Sequence, residues 1–175
     1  LARDLGVGVH IHVAEGTVDA AAGTRLAPLA DESWLLVHGV HLARELPGVI
    51  VHNPRSNMNN SVGYARPTRF ANPVALGTDG IGADMLEEFR LAYVRLREHD
   101  ITATPDVAWT WLENGYRLVP QARDDIVSWS YAPMEPWRLA FTPAVRALDV
   151  TIDGRAVVVA GRVVTVDADE VRAKA

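Results

Sequence analysis

The chain has 175 residues, 49% of them hydrophobic and 22% charged, a balance that permits a sizeable core. Its net charge is −5 with acidic and basic residues interspersed, so no basic stripe marks a nucleic-acid partner, and no apolar run approaches a membrane span. Cysteine is absent, which excludes disulfides and thiolate metal ligands and suits the cytoplasm. Leu1 to Leu5 reads as a helix end stopped by Gly6, and the chain is therefore expected to continue upstream of Leu1. Val7, Val9, Ile11 and Val13 then alternate as in a strand, which puts His10 and His12 together on its other face. Glu15 sits at an odd offset from His12, so it belongs on the loop leaving the strand, where it could curl back over whatever His12 holds.

Thr17 to Ala30 is Ala-rich and helix-compatible, though Gly23 and Pro28 keep it short. Trp34 to Val37 is fully apolar, as expected of a buried parallel strand, and runs into His38-Gly39 and then His41. Val49 to Val51 makes a third strand, closed by His52-Asn53-Pro54, and the following Arg55 to Asn60 reads as a loop. Pro73 to Leu76 makes a fourth, closed by Gly77-Thr78-Asp79-Gly80. Asp84 with Glu87 forms a capping-box pattern ahead of a helix whose Leu86, Phe89, Tyr93 and Leu96 face a core and whose last turn carries His99. Thr104-Pro105 starts a second helix, running through Trp109 and Trp111 to about Leu118. Pro120 to Asp124 is a connector, and Glu135 to Pro143 reads as irregular. From Ile126 the period becomes two, with hairpin turns at Asp153-Gly154 and Ala160-Gly161 and a short helix over 168–175. The change of period puts a boundary between about residues 119 and 126, giving domains 1–122 and 123–175.

Each of the four early strands ends in polar groups, and the intervals between strand starts suit βα units. Side chains gathered at the C-terminal ends of parallel strands are where barrels and open α/β sheets build their sites. A single strand-end histidine is usually structural. Four strand ends carrying His12, His38, His52 and Asp79 shift the weight toward a site, with any metal held by histidine and carboxylate alone.

The segments HVAEG, VHGVHL, VHNPRSNMNNSVG and LGTDGIGADMLEEFRLA, in this order, resemble the amidohydrolase superfamily. The branch they match best is that of aminohydrolases and chlorohydrolases, which includes guanine deaminase-like and SsnA-type proteins. The closing strands around Ile152-Asp153-Gly154-Arg155 resemble that branch's C-terminal β-structure. The resemblance implies an α/β fold, the C-terminal half of a (β/α)8 TIM-like barrel (strands five to eight), followed by a small β-module of a composite β-sandwich domain. It implies one divalent metal, zinc preferred over iron, held by His12 and Asp79, with His38 as a weak ligand or as a partner of the metal's water. Glu15 becomes the proton shuttle, Asp79 a proton acceptor as well as a ligand, and His52, Asn53, Ser56 and Asn57 the substrate-facing loop.

The expected function is hydrolysis of a carbon–nitrogen bond other than a peptide bond, namely deamination of an amino-substituted heterocycle. The family's first-strand HxH ligand pair has no counterpart in these residues, so the chain alone is expected to be impaired. The partner is expected to be a small molecule rather than nucleic acid or a membrane, with a homo-oligomer or a complementary N-terminal half completing the barrel. Two alternatives stay open: a non-catalytic fragment or pseudoenzyme that binds a partner chain, and an s-triazine chlorohydrolase. Glu15 weighs against the latter, since an amine leaving group needs a proton more than chloride does.

Overall fold

Alternation along the first strand sorts its side chains. In β1 (Val9–Val13) the apolar set Val9, Ile11 and Val13 packs toward Leu26, Leu36, Leu42 and Leu46, while His10 and His12 lie exposed on the other face. The structure is a computed structural model and describes residues 1–174; it comprises two compact units, Leu1–Gly115 and Tyr116 onward. Among the described residues no helix is long and apolar enough to cross a membrane.

The first unit is a parallel sheet in the order β1-β2-β3-β4, with β2 at Trp34–His38, β3 at Val49–His52 and β4 at Val74–Leu76. Its register pairs Ile11 with Leu36, Leu36 with Ile50, and Val51 with Ala75, so all four C-terminal ends fall along one edge. Between β1 and β2 the expected helix is a 3-10 turn (Thr17–Asp19) and a short α2 (Ala22–Leu26), after the opening α1 (Ala2–Leu5). The Asn/Ser/Pro run after β3 is not a loop but a helix, α3 (Pro54–Asn59). Pro at its first position is pre-organised for a helix start, and this outweighs the weak helix preference of Asn and Ser.

Helix α4 (Met85–His99) begins at Asp84, whose carboxylate accepts from the Leu86 and Glu87 amides. Glu87 does not complete the box; its carboxylate turns to Arg90 instead. The buried face of α4 carries Leu86, Phe89, Ala92, Tyr93 and Leu96, together with the unexpected Glu88. Helix α5 (Pro105–Leu118) buries Ala108, Trp111 and Leu112, and Trp109 meets Phe89 edge to face at 5.3 Å.

The second unit is an antiparallel sheet in the order β5-β6-β7-β8, formed by Ile126–Trp129, Ala147–Ile152, Arg155–Val159 and Arg162–Val163. Its hairpins turn at Asp153-Gly154 (φ 48° and 72°) and Ala160-Gly161 (φ 49° and 76°), both residues left-handed in each case, which matches the strands' twist. Pro120–Asp124 is a 3-10 helix, and the segment read as irregular contains α6 (Pro136–Leu139). The terminal helix α7 spans Ala168–Lys174; residue 175 lies outside the described residues.

Candidate metal centre

The turn after β1 decides where Glu15 goes. Ala14 is left-handed (φ 47°); its amide donates to Asp19 Oδ2 (3.0 Å) and its carbonyl accepts from the His41 amide (2.8 Å). The Ala14 amide, and then Arg25, hold the Asp19 carboxyl below the usual carboxylate range. So tied, the chain reverses and returns Glu15 toward the His12 face of the strand. At the end of β2, His38 is also left-handed (φ 68°) and fully buried. The Arg69 guanidinium braces the loop behind it, donating to the carbonyls of Gly39 (2.7 Å) and Leu42 (3.0 Å). Backbone strain of this kind persists only where surrounding contacts over-determine it.

These turns make four side chains converge. His38 Nε2 lies 3.3 Å from His12 Nδ1, 3.7 Å from Glu15 Oε2 and 3.7 Å from Asp79 Oδ2. Donor atoms of His12, Glu15 and His38 all lie within 4.8 Å of one another. On its far side His38 Nδ1 meets Asn57 Oδ1 at 2.8 Å, which assigns the proton to Nδ1 and leaves Nε2 an acceptor. An acceptor nitrogen facing another imidazole and two carboxylates is repulsive unless a cation or a proton sits among them. Imidazole nitrogen and carboxylate oxygen are donors that zinc accepts, so the residues present fit a divalent metal.

Asp79, in a 3-10 turn after β4, is itself left-handed (φ 52°). Its Oδ2 accepts from Ser56 Oγ at 2.6 Å. Chiefly that bond, and then the Gly80 amide and the two imidazoles, keep its carboxyl below the usual range against a smaller upward pull from burial. Asn60, part of the run read as a loop, belongs to this network: its Nδ2 donates to Glu15 Oε1 (3.0 Å) and, longer, to Ser56 Oγ (3.4 Å), while Asn59 Nδ2 donates to its Oδ1 (3.0 Å). The signal that exposes Asn60 is its helical spacing from Ser56, which has meaning only if the run is a helix.

The four residues expected to face substrate are all buried. His52 is 1% exposed and packs edge-on against Tyr64 and Trp111, each ring 6.0 Å away. Neither of its ring nitrogens has a hydrogen-bond partner, and burial, with His38 and Arg95 adding to it, pushes its pKa down to about 3. Asn53, 2% exposed, lies against Gly77, where an added Cβ would fall 2.4 Å from Asn53 Oδ1. Ser56 and Asn57 are equally buried and spend their polar atoms on Asp79 and His38. His10 stacks beside His12 at 6.2 Å between ring centres, outside the cluster, and His41 is occupied by the Val62 carbonyl (2.9 Å).

No family model matches the chain. It is 34% identical over 116 residues to a 5-methylthioadenosine/S-adenosylhomocysteine deaminase of Syntrophomonas wolfei, covering 51% of this chain and 27% of that protein. It matches an adenosine deaminase from Xanthomonas campestris with bound zinc at a TM-score of 0.80 and 23% identity, over 99% of this chain and 50% of that one. The chain shares the fold of that solved deaminase. An atrazine chlorohydrolase from Arthrobacter aurescens, complexed with zinc, shares the fold at a TM-score of 0.69 and 20% identity, over 99% of this chain and 49% of that one. The chain thus spans about half the length of the solved proteins it matches and about a quarter of the curated relative.

Proposed function

We propose that the chain carries part of the active site of a metal-dependent hydrolase that deaminates an amino-substituted heterocycle. In this reading β1 to β4 serve as strands five to eight of the barrel, residues 1–122 form the partial barrel and 123–175 its β-module. The observation that carries the proposal is the approach of His12, Glu15 and Asp79 to His38 Nε2, with His12, Glu15 and His38 mutually close. The identities of the relatives, two deaminases and a chlorohydrolase, two of them with zinc, support it.

His12 and Asp79 would hold the ion, with His38 beside them. When bound, a divalent metal supplies a Lewis acid and an acidified water. Asp79, kept ionised by Ser56, accepts one proton of the attacking water. Glu15 is held at Oε1 by Asn60, and its Oε2 is left to carry a proton to a ring nitrogen of the substrate and then to the departing amine. The carbon keeps the oxygen, one proton of the water ends on the ring nitrogen, and the other, released by Asp79, ends on the amine that leaves as ammonia, so atoms and protons balance.

Glu15→Gln keeps the shape and cannot carry a proton. In the full-length or complemented protein it is expected to leave zinc content intact and to lower ammonia release from amino-purines, amino-pyrimidines and aminotriazines by about a hundredfold or more. Equal turnover by the two proteins would remove Glu15 from the mechanism. A second reading, hydrolytic dechlorination, rests on the likeness to the atrazine chlorohydrolase; chloride release from chlorotriazines that survives Glu15→Gln would favour it.

A further inference from the structure

Helix α3 and its C-cap residue Asn60 supply a hydrogen bond to each of three different members of the cluster. Ser56 donates to Asp79, Asn57 accepts from His38, and Asn60 donates to Glu15. A six-residue helix of Pro, Arg, Ser, Asn, Met and Asn has little stability of its own, so something else must seat it. The structure holds one anchor at its first turn. Glu88 of α4 is fully buried; its Oε1 lies 2.8 Å from Arg55 Nε and its Oε2 accepts from the Arg55 backbone amide at 3.3 Å. The carboxylate therefore satisfies one of the first-turn amides that a helix leaves open, and it pairs with the side chain of the same residue. Held in this way, the Arg55 guanidinium lies against Gly82, where an added Cβ would fall 2.9 Å from Nη1. Gly82 closes the turn that begins at Asp79. Glu88 thus fastens together α3, α4 and the Asp79 turn, although it touches none of the convergent groups.

We propose that Glu88, paired with Arg55, is a positioning residue that seats α3 and through it sets the spacing of His38, Asp79 and Glu15 around the metal. This rests on the ligand assignment made above. Groups that orient metal ligands from behind are worth about ten- to a hundredfold in metal affinity. The test is Glu88→Gln in the whole chain, which preserves shape while removing the charge that fixes Arg55. Two quantities are read: the zinc dissociation constant, by competition with a chromophoric chelator, and hydrogen exchange of peptides covering 54–62 and 77–83. The expected result is zinc binding weakened about tenfold or more and faster exchange in both peptides. Exchange in β2 should stay close to that of the wild type, and the melting midpoint reports separately the global cost of breaking a buried pair. A zinc constant within about twofold of wild type, with exchange unchanged, overturns the proposal and leaves Glu88 a compensated buried charge. Should Glu88→Gln not fold, Arg55→Gln, at a partly exposed side chain, makes the same comparison, and the same two outcomes support or overturn the proposal. A wild-type chain that takes up no zinc would instead overturn the ligand assignment, and the exchange data alone would then decide the anchoring.

Discussion

Asn57→Ala is the substitution whose cost is easiest to work from the structure. His38 and Asn57 are 0% and 2% exposed, and the 2.8 Å contact between Nδ1 and Oδ1 fixes the imidazole from behind. Truncation leaves Nδ1–H unpaired where water does not reach, a loss of about 1–3 kcal/mol. One term runs the other way, because Asn57 Nδ2 is already buried without a partner and its removal relieves a similar but smaller burden. The net destabilisation expected in urea unfolding is therefore about 1–2 kcal/mol, visible as a shift of midpoint at constant slope. The functional effect should be larger than the structural one. With Oδ1 gone, Nδ1 and Nε2 compete for the proton, and zinc affinity should fall about ten- to a hundredfold. Asn57→Asp keeps an acceptor facing Nδ1 and should retain most of that affinity. A stability change below about 0.5 kcal/mol, or Ala and Asp variants that bind zinc alike, would refute the reasoning.

His52 resists protonation in the folded state and accepts a proton near its ordinary pKa once unfolded, so stability is complete above about pH 6.5 and declines as pH falls toward 3. The decline attributable to this group should approach, but not exceed, about 1.4 kcal/mol per pH unit, and His52→Leu should remove it in urea titrations compared at neutral pH and near pH 5. Asn60→Ala removes an exposed side chain and should change stability by less than about 0.5 kcal/mol; yet it should lower ammonia release several-fold, because Glu15 loses the donor that holds Oε1.

The parallel sheet is legible in the sequence because its signals are local. Alternation through Val9, Ile11 and Val13 puts His10 and His12 on a common face, and the odd offset of Glu15 already requires a turn after Val13. The clustering of His12, Glu15, His38 and Asp79 follows from strand ends of one sheet, which the order of motifs indicates. The features that escape the sequence are local in composition and non-local in cause. Asn and Ser mark turns on their own, and α3 forms because Pro54 starts it and Glu88, some thirty residues on, caps it. His52 and Asn53 are consecutive polar residues at a strand end, and nothing in the sequence says which one faces the sheet's site edge and which one the helices. The burial of Glu88 is half visible, since it leads the Ala92–Leu96 row of α4 at helical spacing, but its partner Arg55 is not.

A zinc titration of the wild-type chain beside four single variants tests most directly whether His12 and Asp79, with His38 beside them, form a cation site. The wild type should saturate with one zinc ion, His12→Ala and Asp79→Asn should each weaken binding by at least about tenfold, and His10→Ala and His41→Ala should leave it unchanged. Binding that survives both His12→Ala and Asp79→Asn, or that disappears with His10→Ala, would contradict that assignment.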